Sequence, residues 1–342
     1  MRKILFPLLA LLAIMPAFSA LAAESAVVLM YHRFGESNYP STNVTLEQFE
    51  SHLVEIRQGG YTVIPLPALV KAVRDGQPLA EKTIAISIDD AFLSVYRDAW
   101  PRFKKAGIPF SLFVATDPVD KRAGGYMSWD QIRELRDGGV TIGSQTATHP
   151  HMPMMSTDRN KAELDSSNER FRKELGSVPT LIAYPYGEYS LVVGKVARDA
   201  GFVAGFGQHS GVVNSKSDFF YLPRFAFNES FGDIRRFRMA ARALPIPVSD
   251  VTPPDPFLGT GTTNPPAFGF TVEGPVVKRL SRLACYASHE GPAKIERLGE
   301  QRIEVRMTKP FPSGRSRINC TLPGQDGRWH WFGRQFLVPR NR

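Results

Sequence analysis

The sequence predicts an α/β fold, a distorted or incomplete (β/α) barrel followed by a C-terminal antiparallel β-sandwich domain. Over about the first two-thirds of the chain, short apolar segments alternate with amphipathic helical ones, which favours parallel strands joined by right-handed crossovers. After a stretch rich in Pro, Gly and Thr, the pattern changes to short alternating segments separated by turns, which is typical of antiparallel sheets. A chain of 342 residues is long enough for one large and one smaller domain.

The chain divides into four predicted segments. Residues 1–23 are expected to be a signal peptide, because Arg2 and Lys3 precede an apolar run that ends in small residues, with cleavage after Ala22 or Ala23. Residues 24–244 are predicted to form the barrel, residues 245–266 a linker and residues 267–342 the β-sandwich. No later apolar run approaches about 18 residues, so we expect no stable membrane insertion and an exported protein, periplasmic or secreted by a bacterium.

The chain is basic, with a formal net charge of +9 that falls to +7 without the two basic residues of the leader. A nucleic-acid partner is not expected, since the sequence has no aromatic and basic module of that kind and export argues against it. Four clustered arginines follow a helical pattern, at Arg235, Arg236, Arg238 and Arg242. They form either a solvated helix face or a patch for an anionic ligand, and the pattern favours the solvated face.

The barrel elements follow from local patterns. Thr45 and Gln48 form a capping-box pattern before a helix that Gly59 and Gly60 end. Further helices are predicted at about Leu93–Ala106, Trp129–Asp137, Asp158–Leu175 and Leu191–Ala200. Strands are predicted at Val27–Tyr31, Thr62–Ile64, Thr83–Ile88, Phe110–Ala115, Val140–Gly143, Thr180–Tyr184, Phe202–Phe206 and Leu222–Phe227.

The C-terminal segment contains both cysteines of the chain, Cys285 and Cys320. In an oxidising compartment, a pair confined to one region predicts a disulfide, which would stabilise the domain by about 3–4 kcal/mol. Strands are predicted around it at Phe268–Val272, Arg302–Met307, Arg317–Thr321 and Trp331–Val338.

Two adjacent carboxylates, Asp89 and Asp90, end the predicted strand Thr83–Ile88. Ile84, Ile86 and Ile88 alternate with smaller residues, which is the period of a half-buried strand. In β/α proteins the chemistry lies where strands end. Because two neighbouring carboxylates repel each other, one of them usually binds a cation or a proton. The pair therefore indicates a metal and a general base.

Three other polar segments also fall at predicted strand ends. They are Ser144–His151, Tyr184–Gly187 and Leu222–Arg224, the last of which is preceded by His209. Each contains side chains that bind metals or transfer protons. The sequence thus places all the candidate chemistry on one edge of the barrel.

These residues carry a family resemblance. Residues from about Val27 to Arg238 resemble the polysaccharide deacetylases of the NodB-homology family, carbohydrate esterase family 4. The similarity is strongest to the exported bacterial branch that acts on poly-N-acetylglucosamine-like glycans. The family's Asp-Asp motif is met at Asp89 and Asp90, and its Pro-Tyr-Gly motif at Pro185–Gly187.

The resemblance implies a role for each motif. Asp90 would bind the metal, for which zinc is expected and cobalt or nickel are alternatives, and Asp89 would be the general base. The metal would polarise the acetamide carbonyl, and the Tyr186 N–H would help to stabilise the oxyanion. The family's His-Thr/Ser-x-x-His motif supplies two further ligands, of which only His149 is present here.

The sequence departs from the family at three points. Gln145 stands in place of the first motif histidine, so the third ligand is either its carbonyl oxygen or the imidazole of His151. No Leu-x-His motif is present to supply the general acid, for which His209 is the nearest candidate and His32 another. Tyr184 occupies the position of an arginine that orients the base in the family.

The expected function is metal-dependent removal of N-acetyl groups from an amino-sugar polysaccharide of the N-acetylglucosamine type. One alternative is a catalytically impaired glycan-binding or assembly protein, because of Gln145. A second alternative is an O-acetyl esterase. Retention of both Asp89 and Asp90 favours the deacetylase, since a binding protein needs no general base.

Overall fold

A computed structural model describes residues 22–340. Residues 1–21 of the predicted signal peptide lie outside the described residues. None of the helices between residues 22 and 340 is long and apolar enough to cross a membrane.

The N-terminal part is an α/β unit. Its helices are α1 (Leu46–Gln58), α2 (Leu66–Arg74), α3 (Trp100–Ala106), α4 (Thr116–Asp120), α5 (Trp129–Asp137), α6 (Thr157–Leu175), α7 (Leu191–Asp199) and α8 (Ile234–Ala241). Its strands are β1 (Ala22–Ala23), β2 (Ser25–Tyr31), β3 (Arg33–Phe34), β4 (Asn43–Val44), β5 (Thr62–Val63), β6 (Leu79–Ala80), β7 (Thr83–Ile88), β8 (Ser111–Val114), β9 (Thr141–Ser144), β10 (Leu181–Ala183), β11 (Ala204–Phe206), β12 (Val213–Asn214) and β13 (Phe225–Ala226).

The main sheet of this unit curls into an incomplete barrel. Its strands lie in the order β11-β10-β9-β8-β7-β2-β12, all parallel except β12. The segment 219–226 connects the two sides, because Leu222 exchanges backbone hydrogen bonds with Gly205 and Gly207 while Phe225 in β13 pairs with Leu29 in β2. The predicted distorted (β/α) barrel is confirmed.

The predicted half-burial of β7 is wrong, because all six of its residues are buried. Ile84, Ile86 and Ile88 pack in the largest apolar core, with Phe49 of α1 and Phe103 of α3. Ala85, on the opposite face, belongs to a second apolar cluster that includes residues of α2. A parallel strand in the middle of a sheet is covered on both faces, and the alternation here separates large from small side chains rather than buried from exposed ones.

The helix boundaries follow from their capping residues. Both hydrogen bonds of the predicted capping box form between Thr45 and Gln48, and α1 ends at Gly59. The helix predicted at residues 93–106 is instead a π-helical turn at Val95–Ala99 followed by α3. Pro101 lies in the first turn of α3 and has no N–H to donate, so it breaks the regular hydrogen-bond ladder there.

The C-terminal part forms one curled sheet of eight strands. The order is β14-β21-β20-β17-β18-β19-β16-β15, antiparallel except for the β14–β21 pair. Its strands are β14 (Leu244–Pro245), β15 (Val248–Thr252), β16 (Phe268–Val272), β17 (Ala284–Ala287), β18 (Gly291–Leu298), β19 (Arg302–Arg306), β20 (Gly314–Pro323) and β21 (Trp329–Val338).

The two halves of this curled sheet face each other across one apolar core. The ring of Phe268 in β16 lies 5.5 Å from that of Phe336 in β21, and Phe270 lies 4.9 Å from Phe332. Cys285 and Cys320 occupy opposite positions of β17 and β20 and form the predicted disulfide. The segment 245–252, which the sequence assigns to the linker, contributes to β14 and forms β15.

Candidate active site

The carboxyl ends of four parallel strands of the main sheet meet at one edge of the barrel. His32 follows β2, Asp89 and Asp90 follow β7, the segment 145–149 follows β9, and the segment 184–187 follows β10. Because parallel strands direct their carboxyl ends to the same side, residues far apart in sequence lie close together here. The structure thereby brings most of the predicted site residues to one rim.

Asp89 is held by an arginine. Arg224 donates two hydrogen bonds to its carboxylate, from Nη1 to Oδ1 at 2.7 Å and from Nη2 to Oδ2 at 2.8 Å. Arg224 also donates to Ser87 Oγ at 3.2 Å and to the Gly207 carbonyl at 2.9 Å. Both charged side chains are fully buried. Such a bidentate pair fixes the orientation of the carboxylate.

The charge of Asp89 is set by opposing effects. Burial by itself raises the pKa of Asp89, but the charge of Arg224, then His32, and the Arg224 hydrogen bonds together bring that pKa below its ordinary value. The carboxylate is therefore ionised at neutral pH despite its burial. An ionised carboxylate is able to accept a proton from water.

Arg224 is a site residue whose role the sequence did not predict. In the sequence, Arg224 stands out only as a polar residue in the segment Leu222–Arg224 at a predicted strand. The position where the family has an arginine is occupied by Tyr184, which is fully buried among aromatic side chains. The residue that orients Asp89 in this structure is Arg224, 135 positions from it in sequence.

Asp90 and His149 form the second pair at the rim. Asp90 Oδ1 lies 3.5 Å from His149 Nε2, and about a fifth of each side chain is exposed. Burial lowers the pKa of His149, an effect that Asp90 and then Asp89 oppose. Neutral imidazole and ionised carboxylate are the forms that bind metals.

Gln145 is fully buried and faces Asp90 with its oxygen. Its Oε1 accepts a hydrogen bond from the Asp90 N–H at 3.1 Å, while its Nε2 has no hydrogen-bond partner among residues 22–340. Turning the amide over would bring two donors together, so the oxygen is committed to the backbone of Asp90. In this orientation one lone pair of the Gln145 oxygen is already taken by the Asp90 N–H.

His151 is engaged away from the carboxylates. Its Nδ1 lies 2.7 Å from Glu188 Oε2, and its ring stacks on Tyr186 with the centroids 4.3 Å apart. More than half of its side chain is exposed. His151 therefore lines the edge of the rim, and it would have to leave both contacts to join Asp90 and His149.

Tyr186 lies between these histidines. Its ring also meets His149 edge-on at 4.5 Å, and its carbonyl oxygen accepts hydrogen bonds from Gln335 Nε2 at 3.2 Å and from Arg315 Nη1 at 3.3 Å. Both donors belong to the C-terminal sheet. The turn that carries the predicted oxyanion contact is thus anchored by the second sheet.

Several rim residues have left-handed backbone conformations. The φ angles are 75° at Asp90, 68° at Thr146, 59° at His149 and 59° at Tyr186. Each such non-glycine conformation costs on the order of 1 kcal/mol or more, and such strain tends to concentrate at functional sites.

The donor set fits a divalent cation only in part. Two ligands of a tetrahedral zinc ion are separated by roughly 3.3 Å, which agrees with the Asp90–His149 distance. A third protein ligand is not in place, because Gln145 and His151 are engaged as described. Consistently, no group of three or more His, Cys, Asp or Glu side chains in the described part of the chain is arranged to hold a metal.

The predicted general acid His209 does not lie with the carboxylates. Its ring lies 4.2 Å from that of Tyr221 in a tilted arrangement, and it lines a separate cavity between the barrel and β21. Burial, followed by the charges of three arginines, lowers the pKa of His209 well below its ordinary value. His32 is at the rim instead, with its Nε2 3.8 Å from Asp89 Oδ2.

Comparison with known proteins agrees with this fold. Residues 76–205 match the family model for polysaccharide deacetylases. The YxkH protein of Bacillus subtilis is 27% identical over 198 residues, which are 58% of this chain and 69% of that protein. The poly-β-1,6-N-acetyl-D-glucosamine N-deacetylase of Staphylococcus aureus is 23% identical over 232 residues, 60% of this chain and 80% of that enzyme.

A solved structure covers a similar part of the chain. The structure of IcaB from Ammonifex degensii matches with a TM-score of 0.57 and 25% identity, over 65% of this chain and 99% of that one. The matched family segment contains Asp89, Asp90, His149 and Tyr186. The chain therefore contains a polysaccharide deacetylase domain.

Proposed function

We propose that this protein hydrolyses N-acetyl groups on an amino-sugar polysaccharide, in a reaction that depends on a divalent metal. The observation that carries the proposal is the rim arrangement in which ionised Asp89, fixed by Arg224, lies beside His32 and next to the Asp90–His149 pair. The named activity of the Staphylococcus aureus relative supports the same substrate class.

The chain's own residues account for the proton transfers. Asp89 accepts a proton as the oxygen of a water molecule bonds to the acetamide carbon. The carbon–nitrogen bond then breaks, and protonated His32 gives its proton to the leaving amine, so the products are acetate and the free amino sugar. Each transfer would contribute roughly 10²–10⁴-fold to the rate. Tyr186, held by Gln335 and Arg315, supplies its N–H to the developing oxyanion.

Asp90 and His149 would hold the divalent cation, zinc first, with cobalt or nickel as substitutes. The chemistry that such a cation supplies is Lewis-acid polarisation of the acetamide oxygen. With two protein ligands in place, binding should be weaker than at a site with three. The second candidate function, a glycan-binding or assembly protein without turnover, is favoured by one observation, the commitment of the Gln145 oxygen to the Asp90 N–H.

The test measures metal content by mass spectrometry and acetate release from N-acetylglucosamine oligomers with added zinc, cobalt or nickel. Asp89→Asn should abolish acetate release. Asp90→Ala should abolish acetate release and, in addition, reduce metal binding. Asp165→Asn, which changes an exposed carboxylate on α6, is the matched control. Absence of acetate release with every metal would refute the deacetylase and leave the binding protein.

Export to the periplasm or beyond is part of the proposal. The disulfide between Cys285 and Cys320 supports it, because disulfides persist in oxidising compartments. Fractionation of cells that produce the full chain, followed by mass spectrometry of its N-terminus, tests both export and cleavage near Ala22 or Ala23. Recovery of the uncleaved chain in the cytoplasm would contradict it.

A further inference from the structure

A groove runs from the candidate active site to the C-terminal sheet. Its volume is about 1200 Å³. His32, His151 and Glu188 line the end at the rim, and Arg317 and Trp331 of the C-terminal sheet line the far wall. A volume of this size exceeds what one acetamide-bearing sugar needs, so the groove has room for neighbouring sugars of a chain.

The lining of this groove is strongly positive. Within residues 22–340, four arginines line it, together with a single carboxylate, that of Glu188. Glu188 is already engaged, with His151 at 2.7 Å and Arg315 Nε at 3.8 Å. Among the described residues, the groove therefore has no other carboxylate to neutralise its remaining arginines.

Arg236 points into the groove from α8. Its guanidinium lies 5.1 Å from the ring centre of Trp331 and 5.5 Å from that of Phe225. Its Nη1 is buried and has no hydrogen-bond partner within residues 22–340. Burial lowers the pKa of Arg236, an effect that Asp233 opposes. The preceding Arg235 is 93% exposed, so the solvated-face interpretation of this cluster holds for Arg235 and fails for Arg236.

Arg317 points into the groove from β20. Among the described residues its side chain forms no ion pair, and burial, followed by the charge of Arg315, lowers its pKa. Trp331, on the adjacent strand, is fixed by a hydrogen bond from its Nε1 to Asn319 Oδ1 at 3.1 Å. Arg236 and Arg317 therefore line the same groove as the oriented ring of Trp331, which Arg236 contacts.

We propose that this groove binds an acidic glycan, in which sugars that carry carboxylates neighbour the N-acetylated sugar at the rim. Arg236 and Arg317 pair with the carboxylates, and Trp331 packs against a sugar ring. The oxygens of a neutral polymer would accept hydrogen bonds from these guanidinium groups but would leave their positive charges uncompensated, which is unfavourable for buried charges. The proposal rests on the proposed deacetylase function and specifies its substrate class.

The test is a binding measurement on the full chain by isothermal titration calorimetry. The probes are a hexasaccharide of alternating glucuronic acid and N-acetylglucosamine, and the neutral hexamer of N-acetylglucosamine. The acidic probe should bind at least about tenfold more tightly, and its affinity should fall with added salt. Equal affinity for the two probes would overturn the proposal.

Variants locate the effect in the groove. Arg317→Gln and Arg236→Gln should each weaken binding of the acidic probe by about tenfold. Arg282→Gln, at an exposed position of the same C-terminal part, and Arg235→Gln should not change it. Because Arg236 packs on two aromatic rings, thermal unfolding checks that its variant folds, and Arg317→Gln carries the test if it does not. Unchanged affinity in Arg317→Gln would overturn the proposal.

Three further outcomes distinguish failure of the acidic-glycan proposal from failure of the proposed deacetylase. Equal binding of a short single-stranded oligonucleotide would also overturn the glycan assignment, since it would show recognition of charge alone. Binding of the acidic probe without acetate release would contradict the proposed deacetylase but not the groove. Acetate release from the neutral hexamer at the same rate as from the acidic probe would support the deacetylase and overturn the acidic-glycan proposal.

Discussion

Arg224 and Asp89 are separated by 135 positions in sequence, yet they form a bidentate ion pair in which neither side chain is exposed to solvent. The pair joins the end of β7 to the segment that connects the two sides of the curled sheet. It therefore links the closure of the barrel to the orientation of the candidate general base. A variant that weakens barrel closure should therefore also disturb the orientation of Asp89, and the converse should hold.

Replacement of Arg224 by Met should reduce both stability and activity. Removal of one partner leaves a buried carboxylate without its counter-charge, which costs about 3–5 kcal/mol of unfolding free energy. Acetate release should fall by at least about 10²-fold. Urea unfolding and the acetate assay measure the two effects. The double variant Arg224→Met/Asp89→Asn should be more stable than Arg224→Met alone, and a less stable double variant would contradict the ion-pair explanation.

The two candidate general acids can be separated by matched variants. His32→Gln should lower the rate of acetate release by roughly 10²-fold or more, because His32 Nε2 lies 3.8 Å from Asp89 Oδ2. His209→Gln should change mainly the stability, since His209 packs on Tyr221 in a separate cavity. The measurement is kcat for both variants at matched folded fractions. A larger loss of kcat in His209→Gln would reverse the assignment.

Gln145→His should raise the affinity for zinc by roughly tenfold or more, because an imidazole adds a third ligand to Asp90 and His149. Calorimetric titration of the metal-free protein with zinc measures it. His151→Ala, the control, should leave the zinc affinity of the wild-type chain unchanged, as His151 is engaged by Glu188 and Tyr186. A loss of affinity in His151→Ala would identify His151 as the missing ligand.

Stability should decrease at mildly acidic pH because of His52. Burial lowers the pKa of His52 to about 4, although its contacts with the Gly232 carbonyl and with Asp233 oppose the change. The unfolded chain takes up a proton near pH 6.5 and the folded chain does not, so stability is complete above pH 6.5 and is lost as the pH falls towards 4. The loss amounts to at most about 3 kcal/mol.

Urea unfolding of the wild-type chain and of His52→Gln, at pH 7.5 and at pH 5, tests this expectation. The variant should lose less stability between the two pH values than the wild type does. Tyr31 Oη lies 3.0 Å from His52 Nδ1, so the absolute stability of the variant also falls at both pH values. An identical pH dependence in the two proteins would exclude His52 as the cause.

Local sequence patterns predicted many of the elements. The bounds of β7, α5 and β16 agree with the predicted segments, because alternation, a Ser128 cap and flanking turns are properties of a few neighbouring residues. The strands β17 and β18 and the helix α2 were not predicted. Much of β18 is half-exposed and its pattern is weak, so only its pairing with β17 and β19 defines it.

The sequence by itself determined where the candidate site lies, since two adjacent carboxylates, Asp89 and Asp90, directly follow the apolar strand β7. It also determined the disulfide partners, because only two cysteines exist. Only the tertiary structure decided which partners those carboxylates have. Arg224 reaches Asp89 through barrel closure, His32 replaces His209 beside it, and Gln145 turns its oxygen to the Asp90 backbone. These contacts join distant segments, so local pattern carries no information about them.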